Sequence, residues 1–246
     1  MKELQLNNKT WITEYVDKIV LVNLVHRKDR LQESISELTR VGIVNDVEHF
    51  EAIEHGTGII GCTQSHYELV KHAKNKGYKN ILIFEDDIEF HADVSLFKNT
   101  IQSAFKTIKE KQLSPHMLYL GGNATHVHDG YNDIIPYHEQ VSDHLYRLGG
   151  CKTTHAYIIF ESMYDTIIEA YDKIQWVPEE FRGDDRMSID FWYLSRIHHN
   201  RSEYNIYGVY PALAGQRESH SDIMERVMYF NLFEKYNKLL ETNGIG

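Results

Sequence analysis

The order of apolar and polar positions divides the chain into short buried strands and amphipathic helices. Lys18–Leu24 is a β-branched run of the type buried on both faces of a sheet. Polar Val25–Arg30 follows, then a helix in which Leu31, Ile35, Leu38 and Val41 keep helical spacing and Gly42 is the natural stop. A weaker strand is expected at Val47–Ala52. Beyond a glycine-bearing loop at His55–Gly61, Cys62, His66, Leu69, Val70 and Ala73 share one face of a helix from Cys62 to Lys76, closed by Gly77. Asn80–Phe84 is the clearest buried strand in the chain, and Glu85-Asp86-Asp87 stands at its carboxyl end.

The second half continues the pattern with a helix at Val94–Lys111 and a strand at Met117–Leu120. Asn123–Leu148 is polar, aromatic and irregular, a long functional loop with room for a hairpin. A strand at Thr153–Phe160, helices at Met163–Lys173 and Ile189–Ile197, a short strand at Ile206–Val209 and a C-terminal helix at Met224–Leu240 complete the reading. Alternating strands and helices predict an α/β sheet covered on both faces. Residues 1–246 suit a single domain, with 224–246 as a helical elaboration.

Composition narrows the function. The formal net charge of −10 disfavours a nucleic-acid partner, which needs a concentrated basic surface, yet leaves room for a phosphate held by a divalent ion and a few arginines. No stretch approaches the roughly 18 apolar residues of a membrane span, and the first residues lack the apolar run of a signal peptide, so a soluble, cytoplasmic protein is expected. Cys62 and Cys151 make no disulfide framework and are read as reduced thiols, a single bridge remaining open.

Five segments carry chemistry. Three consecutive carboxylates repel one another, and strand alternation places Glu85 and Asp87 on one face with Asp86 opposite. Two oxygens on one face suit a hard divalent ion, whereas a solvated acidic turn is the bland alternative. Around Asn23, Leu24, Arg27 and Arg30, a strand end meets clustered cations and a helix start, a nucleotide site or an ordinary solvated helix entry. Gly61-Cys62-Thr63-Gln64-Ser65-His66 allows close ligand approach, although His66 lies on the apolar face and reads first as a packed core residue. Gln216, Arg217, His220, Ser221 and Asp222 form a polar loop after a short strand, fit for phosphate, sugar or metal. In the segment from Asp184 to Trp192, a carboxylate leading an aromatic helix is either a general base toward an acceptor hydroxyl, with Trp192 or Tyr193 as a sugar platform, or Asp184 or Asp190 is a helix cap. His126/His128 and His198/His199 lack zinc spacing and are read as surface residues.

Taken in order, these segments resemble glycosyltransferase family 25, which includes bacterial lipooligosaccharide galactosyltransferases and collagen hydroxylysine galactosyltransferases. Asn23-Leu24 with Arg27, Asp29 and Arg30 is similar to its opening motif, Gly61–His66 to its "GC..SH", and Ile83–Ile88 to its "EDD". Thr154–Ile158 resembles its "T.AYI", and Pro211, Gln216, Ser221, Asp222 and Ile223 its closing motif. The resemblance implies a GT-A-type nucleotide-sugar-binding domain with a mixed, mostly parallel central sheet and helices on both faces. It further implies a UDP-sugar donor, a glycan or protein hydroxyl acceptor, Mn²⁺ or Mg²⁺ dependence and inversion at the anomeric carbon. Asp87, with Glu85 and a late histidine, His220, would then hold the metal. Asn23, Leu24, Arg27, Arg30, Thr63, Ser65, His66, Glu85, Asp86, Thr154, Gln216, Ser221 and Asp222 would line the donor site, with Asp190 as base. A bacterial or viral origin fits this reading. A metal-dependent nucleotide-diphosphate hydrolase and an inactive GT-A-fold binding module are the rival readings.

Overall fold

The computed structural model describes residues 2–3, 10–124, 127–128, 134–135, 138–174, 188–198, 200–221, 226–228 and 232–243. A nine-stranded mixed sheet organises them. Its strands are β1 (Lys2–Glu3), β2 (Lys18–Asn23), β3 (Val47–Glu51), β4 (Asn80–Glu85), β6 (Met117–Tyr119), β7 (Glu139–Ser142), β8 (Leu145–Arg147), β9 (Ala156–Phe160) and β10 (Ile206–Val209). The short β5 (Ile88–Phe90) and β11 (Ala214–Gln216) pair antiparallel outside that sheet. The order across the sheet is β1-β3-β2-β4-β9-β6-β10-β8-β7. Strands β2, β3, β4, β6, β7 and β10 run one way, and only β1, β8 and β9 run against them.

Helices α1 (Lys28–Arg40) and α3 (Val94–Glu110) cover one face; α2 (Gly58–Lys76) and α4 (Tyr164–Ile174) cover the other. Successive strand residues point to opposite faces, and here both faces are core. Ile19, Leu21, Leu82 and Phe84 therefore pack with Leu38, Phe97 and Ile101. Val20, Val22, Ile81 and Ile83 pack with Leu69, Val70 and Ala73. This alternation decides which way the carboxylates after Phe84 face.

Several boundaries differ from the sequence pattern. Helix α2 begins at Gly58, so the second half of the expected loop is its first turn. Gly61 permits this: a Cβ there would stand 2.4 Å from the Ile53 carbonyl oxygen, so the helix can lie this close to the β3 exit only with glycine. The segment read as a loop at 123–148 contributes the edge hairpin β7–β8, and β8 pairs with β10. The helix expected at Ile189–Ile197 is one α-turn, α5 (Ile189–Trp192), continued by a π-helical stretch at Tyr193–His198. The C-terminal helix α6 (Leu232–Asn243) starts later than Met224, because Arg226–Met228 pairs instead with Ser219–Ser221 as a two-stranded ribbon.

Candidate active site

The site forms where β4 leaves the sheet. Glu85 is the last residue of β4, Asp86 and Asp87 make a turn, and β5 follows. Glu85 keeps the alternation of Ile81 and Ile83 and faces α2; Asp86 keeps that of Leu82 and Phe84 and faces α1. The turn breaks the pattern at Asp87, which joins Asp86 on the α1 side instead of sharing a face with Glu85.

Two cationic and polar clamps, one of them buried, hold the turn. Arg30 Nη1 lies 2.7 Å from Asp86 Oδ1, and its Nη2 lies 3.3 Å from Asp87 Oδ2. Asn23 Nδ2 donates to Asp86 Oδ2 at 2.7 Å and to the Arg27 carbonyl at 3.0 Å, while Ser34 Oγ donates to the Asp86 carbonyl at 2.8 Å. From the opposite side of the turn, β11 pairs with β5 in a register that sets Gln216 against Ile88. Gln216 Nε2 then donates to Asp87 Oδ2 at 3.3 Å, and the Arg217 amide donates to the Asp87 carbonyl at 2.7 Å. The Arg217 guanidinium reaches the Asp86 carbonyl at 3.1 Å and the Ile88 carbonyl at 3.2 Å. Helix α1 also grips β5, with Glu37 accepting from the Phe90 amide at 2.7 Å.

Glu85 has a separate environment. His66 Nε2 lies 3.1 Å from Glu85 Oε1, and Thr154 Oγ1 donates to the same oxygen at 2.6 Å. His66 Nδ1 is hydrogen-bonded to the Tyr157 hydroxyl at 2.7 Å, which fixes the ring. His66 is thus fully buried and also part of the site. Strand β9 supplies Tyr157 because it runs antiparallel to β4, with Ala156 opposite Phe84.

The three carboxyl groups differ in acidity. Burial pushes Glu85 up, but the hydrogen bonds and charge of His66 and the Thr154 hydroxyl bring it below the usual range. Burial outweighs Arg30 and Asn23 at Asp86 and raises it. At Asp87, burial and then the neighbouring Glu85 charge raise the carboxyl to about 7 despite Arg30. Asp87 Oδ1 is buried with no hydrogen-bond partner, as are Asn23 Oδ1 and Gln216 Oε1. Buried oxygens with no donor are acceptors that a hard cation would satisfy. The residues present therefore fit a hard divalent ion at Asp87.

Not every expected residue converges on this turn. Ser65 Oγ donates to the Gly61 carbonyl and accepts from the Ile53 amide, fastening α2 to the β3 exit. Thr63 lines a small cavity with Tyr67, Tyr171, Ile189 and Trp192. Leu24 is half-buried at the end of β2, and Arg27 pairs with Asp29 at 3.0 Å. Asp190 Oδ1 accepts from Ser188 Oγ and the Phe191 amide, and its Oδ2 accepts from the Thr153 amide at 3.2 Å. Tyr193 is fully buried and so is no sugar platform. His198 is likewise core, accepting from the Cys151 amide at 2.9 Å, not a surface residue. Asp222 and the side chains of His220 and Ser221 lie outside the described residues, as do His126, His199 and the side chain of His128. Sequence reasoning gave Ser34 and Tyr157 no role: Ser34 carries no local signal, and Tyr157 stands only as the tyrosine of the "T.AYI" segment.

An acidic turn at the carboxyl edge of a covered mixed α/β sheet is where proteins of this architecture bind ligands. The chain belongs to glycosyltransferase family 25: the family model, described as an LPS biosynthesis protein, matches residues 56–187, over half its length. It is 25% identical over 131 residues to procollagen galactosyltransferase 1 of Danio rerio, covering 43% of this chain and 21% of that protein. It is 30% identical over 64 residues to inactive glycosyltransferase 25 family member 3 of Homo sapiens, covering 26% of this chain and 10% of that protein. The matches thus span between a tenth and about a fifth of those relatives. Among solved structures, A197 from STIV aligns over 87% of this chain and 94% of that one, with a TM-score of 0.42 and 11% identity. Among the described residues, no helix is long and apolar enough to cross a membrane.

Proposed function

We propose that the protein is a metal-dependent, inverting glycosyltransferase that moves a hexose, galactose or glucose, from a UDP-sugar to a hydroxyl of a glycan or protein acceptor. The observation that carries this reading is Asp87: a buried carboxyl group with one oxygen unpartnered, its acidity suppressed by burial and Glu85. Asp87 and Glu85 would hold Mn²⁺ or Mg²⁺, with His220 as the further expected ligand. When bound, the ion neutralises negative charge on the departing UDP.

The chain's own groups divide the remaining work. Arg30 holds Asp86 and Asp87 in place against their mutual repulsion, and Asn23 ties Asp86 to the end of β2, where the nucleotide would lie. His66 and Thr154 keep Glu85 ionised and oriented. Asp190 would take the proton from the acceptor hydroxyl. Its carboxylate is held by the Thr153 amide, one residue before the Thr154 hydroxyl that holds Glu85, so adjacent residues tie both carboxylates to the start of β9.

The test is calorimetric titration with UDP, UDP-galactose, UDP-glucose and GDP-mannose, with Mn²⁺ present and then chelated. Metal-dependent binding selective for UDP species is the expected result. Absence of binding by the folded protein would overturn the donor assignment and favour an inactive module, a state that the name of the human relative makes relevant. Release of free phosphate or sugar phosphate without transfer would favour the hydrolase.

A further inference from the structure

We propose that Cys62, His66 and Glu85 form a second metal site, selective for a thiolate-preferring divalent ion such as Zn²⁺. The three side chains bring one sulfur, one nitrogen and one oxygen within 4.8 Å of one another. Cys62 and His66 are four residues apart on α2, the spacing that stacks side chains on one helix face. Glu85 meets them from the end of β4, so two rigid elements set the geometry instead of a loop.

The surroundings are those of a ligating set. The Tyr157 hydroxyl holds His66 Nδ1, so Nε2 is the nitrogen turned toward Glu85. A hydrogen bond on the far ring nitrogen orients a metal-bound imidazole in the same way. Thr154 steadies the carboxylate. His66 is buried, whereas Cys62 and Glu85 keep partial exposure, which leaves an approach for the ion. Three protein ligands including sulfur and nitrogen suit tetrahedral Zn²⁺ with one open position. Mn²⁺ and Mg²⁺ prefer oxygen, so they belong with Asp87. On binding, the Cys62 thiol gives its proton to solvent, the proton between His66 Nε2 and Glu85 is displaced as well, and the ion takes its place with the imidazole keeping a proton on Nδ1 toward the Tyr157 oxygen. The site shares Glu85 with the manganese site proposed above but uses sulfur and nitrogen atoms that reading does not involve.

Titration of the full chain with Co²⁺, a spectroscopic substitute for Zn²⁺, tests this directly. One equivalent should produce a thiolate-to-cobalt charge-transfer band that Zn²⁺ bleaches. Cys62→Ser should abolish the band and Cys151→Ser should leave it. A cobalt spectrum without a thiolate band, or a band indifferent to Cys62→Ser, overturns the proposal; the wild-type spectrum alone is decisive on the first of these even if a variant fails to fold. Asp87→Asn separates the two sites: the thiolate band should persist while Mn²⁺-dependent UDP binding is lost. Loss of both would mean a single site on the carboxylate turn and would overturn the second one. Retention of Mn²⁺-dependent binding would overturn the manganese reading and leave the cobalt result standing.

Discussion

Arg30 and Asp86 form a buried ion pair at 2.7 Å between the first turn of α1 and the turn after β4, each side chain about one-tenth exposed. This pair offsets the charge of one of three successive carboxyl groups set into the folded interior. Removing one partner of such a pair leaves an uncompensated buried charge. Arg30→Met should therefore destabilise the protein by about 3–5 kcal/mol in denaturant unfolding. Adding Asp86→Asn should recover part of the loss, and a double variant no better than Arg30→Met would refute the pairing as the cause.

Asp87 should trade stability for binding. Its carboxyl is raised to about 7 by burial and Glu85, so above neutral pH the metal-free protein bears a strained charge. Asp87→Asn removes that charge and should raise metal-free stability by on the order of 2–4 kcal/mol at pH 8. The same variant should abolish Mn²⁺-dependent UDP binding. A fall in stability, measured by thermal unfolding in chelator, would contradict this assignment.

Asp190 distinguishes a base from a cap through the split between transfer and donor affinity. Asp190→Asn should lower the transfer rate by about 10²–10⁴-fold while UDP affinity stays unchanged. An unchanged rate, with a modest drop in stability from the lost Thr153 and Ser188 contacts, would leave it a structural cap.

His155 provides a pH signature. Burial drives its imidazole down to about 4, and Nε2 faces the Ala214 carbonyl. Because the folded pKa lies below the unfolded value near 6.5, the unfolded chain binds more protons between those limits. This residue therefore costs nothing above pH 7 and destabilises progressively as pH falls from about 6.5 to 4, by about 3 kcal/mol in full. His155→Gln should flatten that part of the stability profile relative to wild type. Parallel profiles would show that the imidazole titrates normally in the fold.

Much of this arrangement is legible locally. The apolar run at 80–84 announces β4, and its period of two correctly sends Glu85 and Asp86 to opposite faces. The same rule fails at Asp87 because the strand has ended and the chain turns. Helix α1 hides its role differently: its buried face starts with Arg30 and Ser34, polar residues that a search for apolar spacing passes over in favour of half-buried Leu31 and Ile35. Tyr157 and Gln216 reach the site only through strand pairing, and no local pattern states which strands will be neighbours. His198 reads as a surface residue from its polar surroundings, yet a π-helical turn carries it inward.

The groups that meet at the acidic turn are also made at widely different times during synthesis. The partners of Asp86 and Glu85 in α1 and α2, Arg30 and His66, precede them by 56 and 19 residues. Thr154 comes 69 residues after Glu85, and Gln216 comes 129 after Asp87. During synthesis the acidic turn emerges with its neutralising arginine already made, while the residues that aim it are still untranslated. A nascent chain halted near residue 150 would carry the three carboxyl groups and Arg30 but lack Thr154 and Gln216, so it would hold the charges of the acidic turn without all of the contacts that orient them.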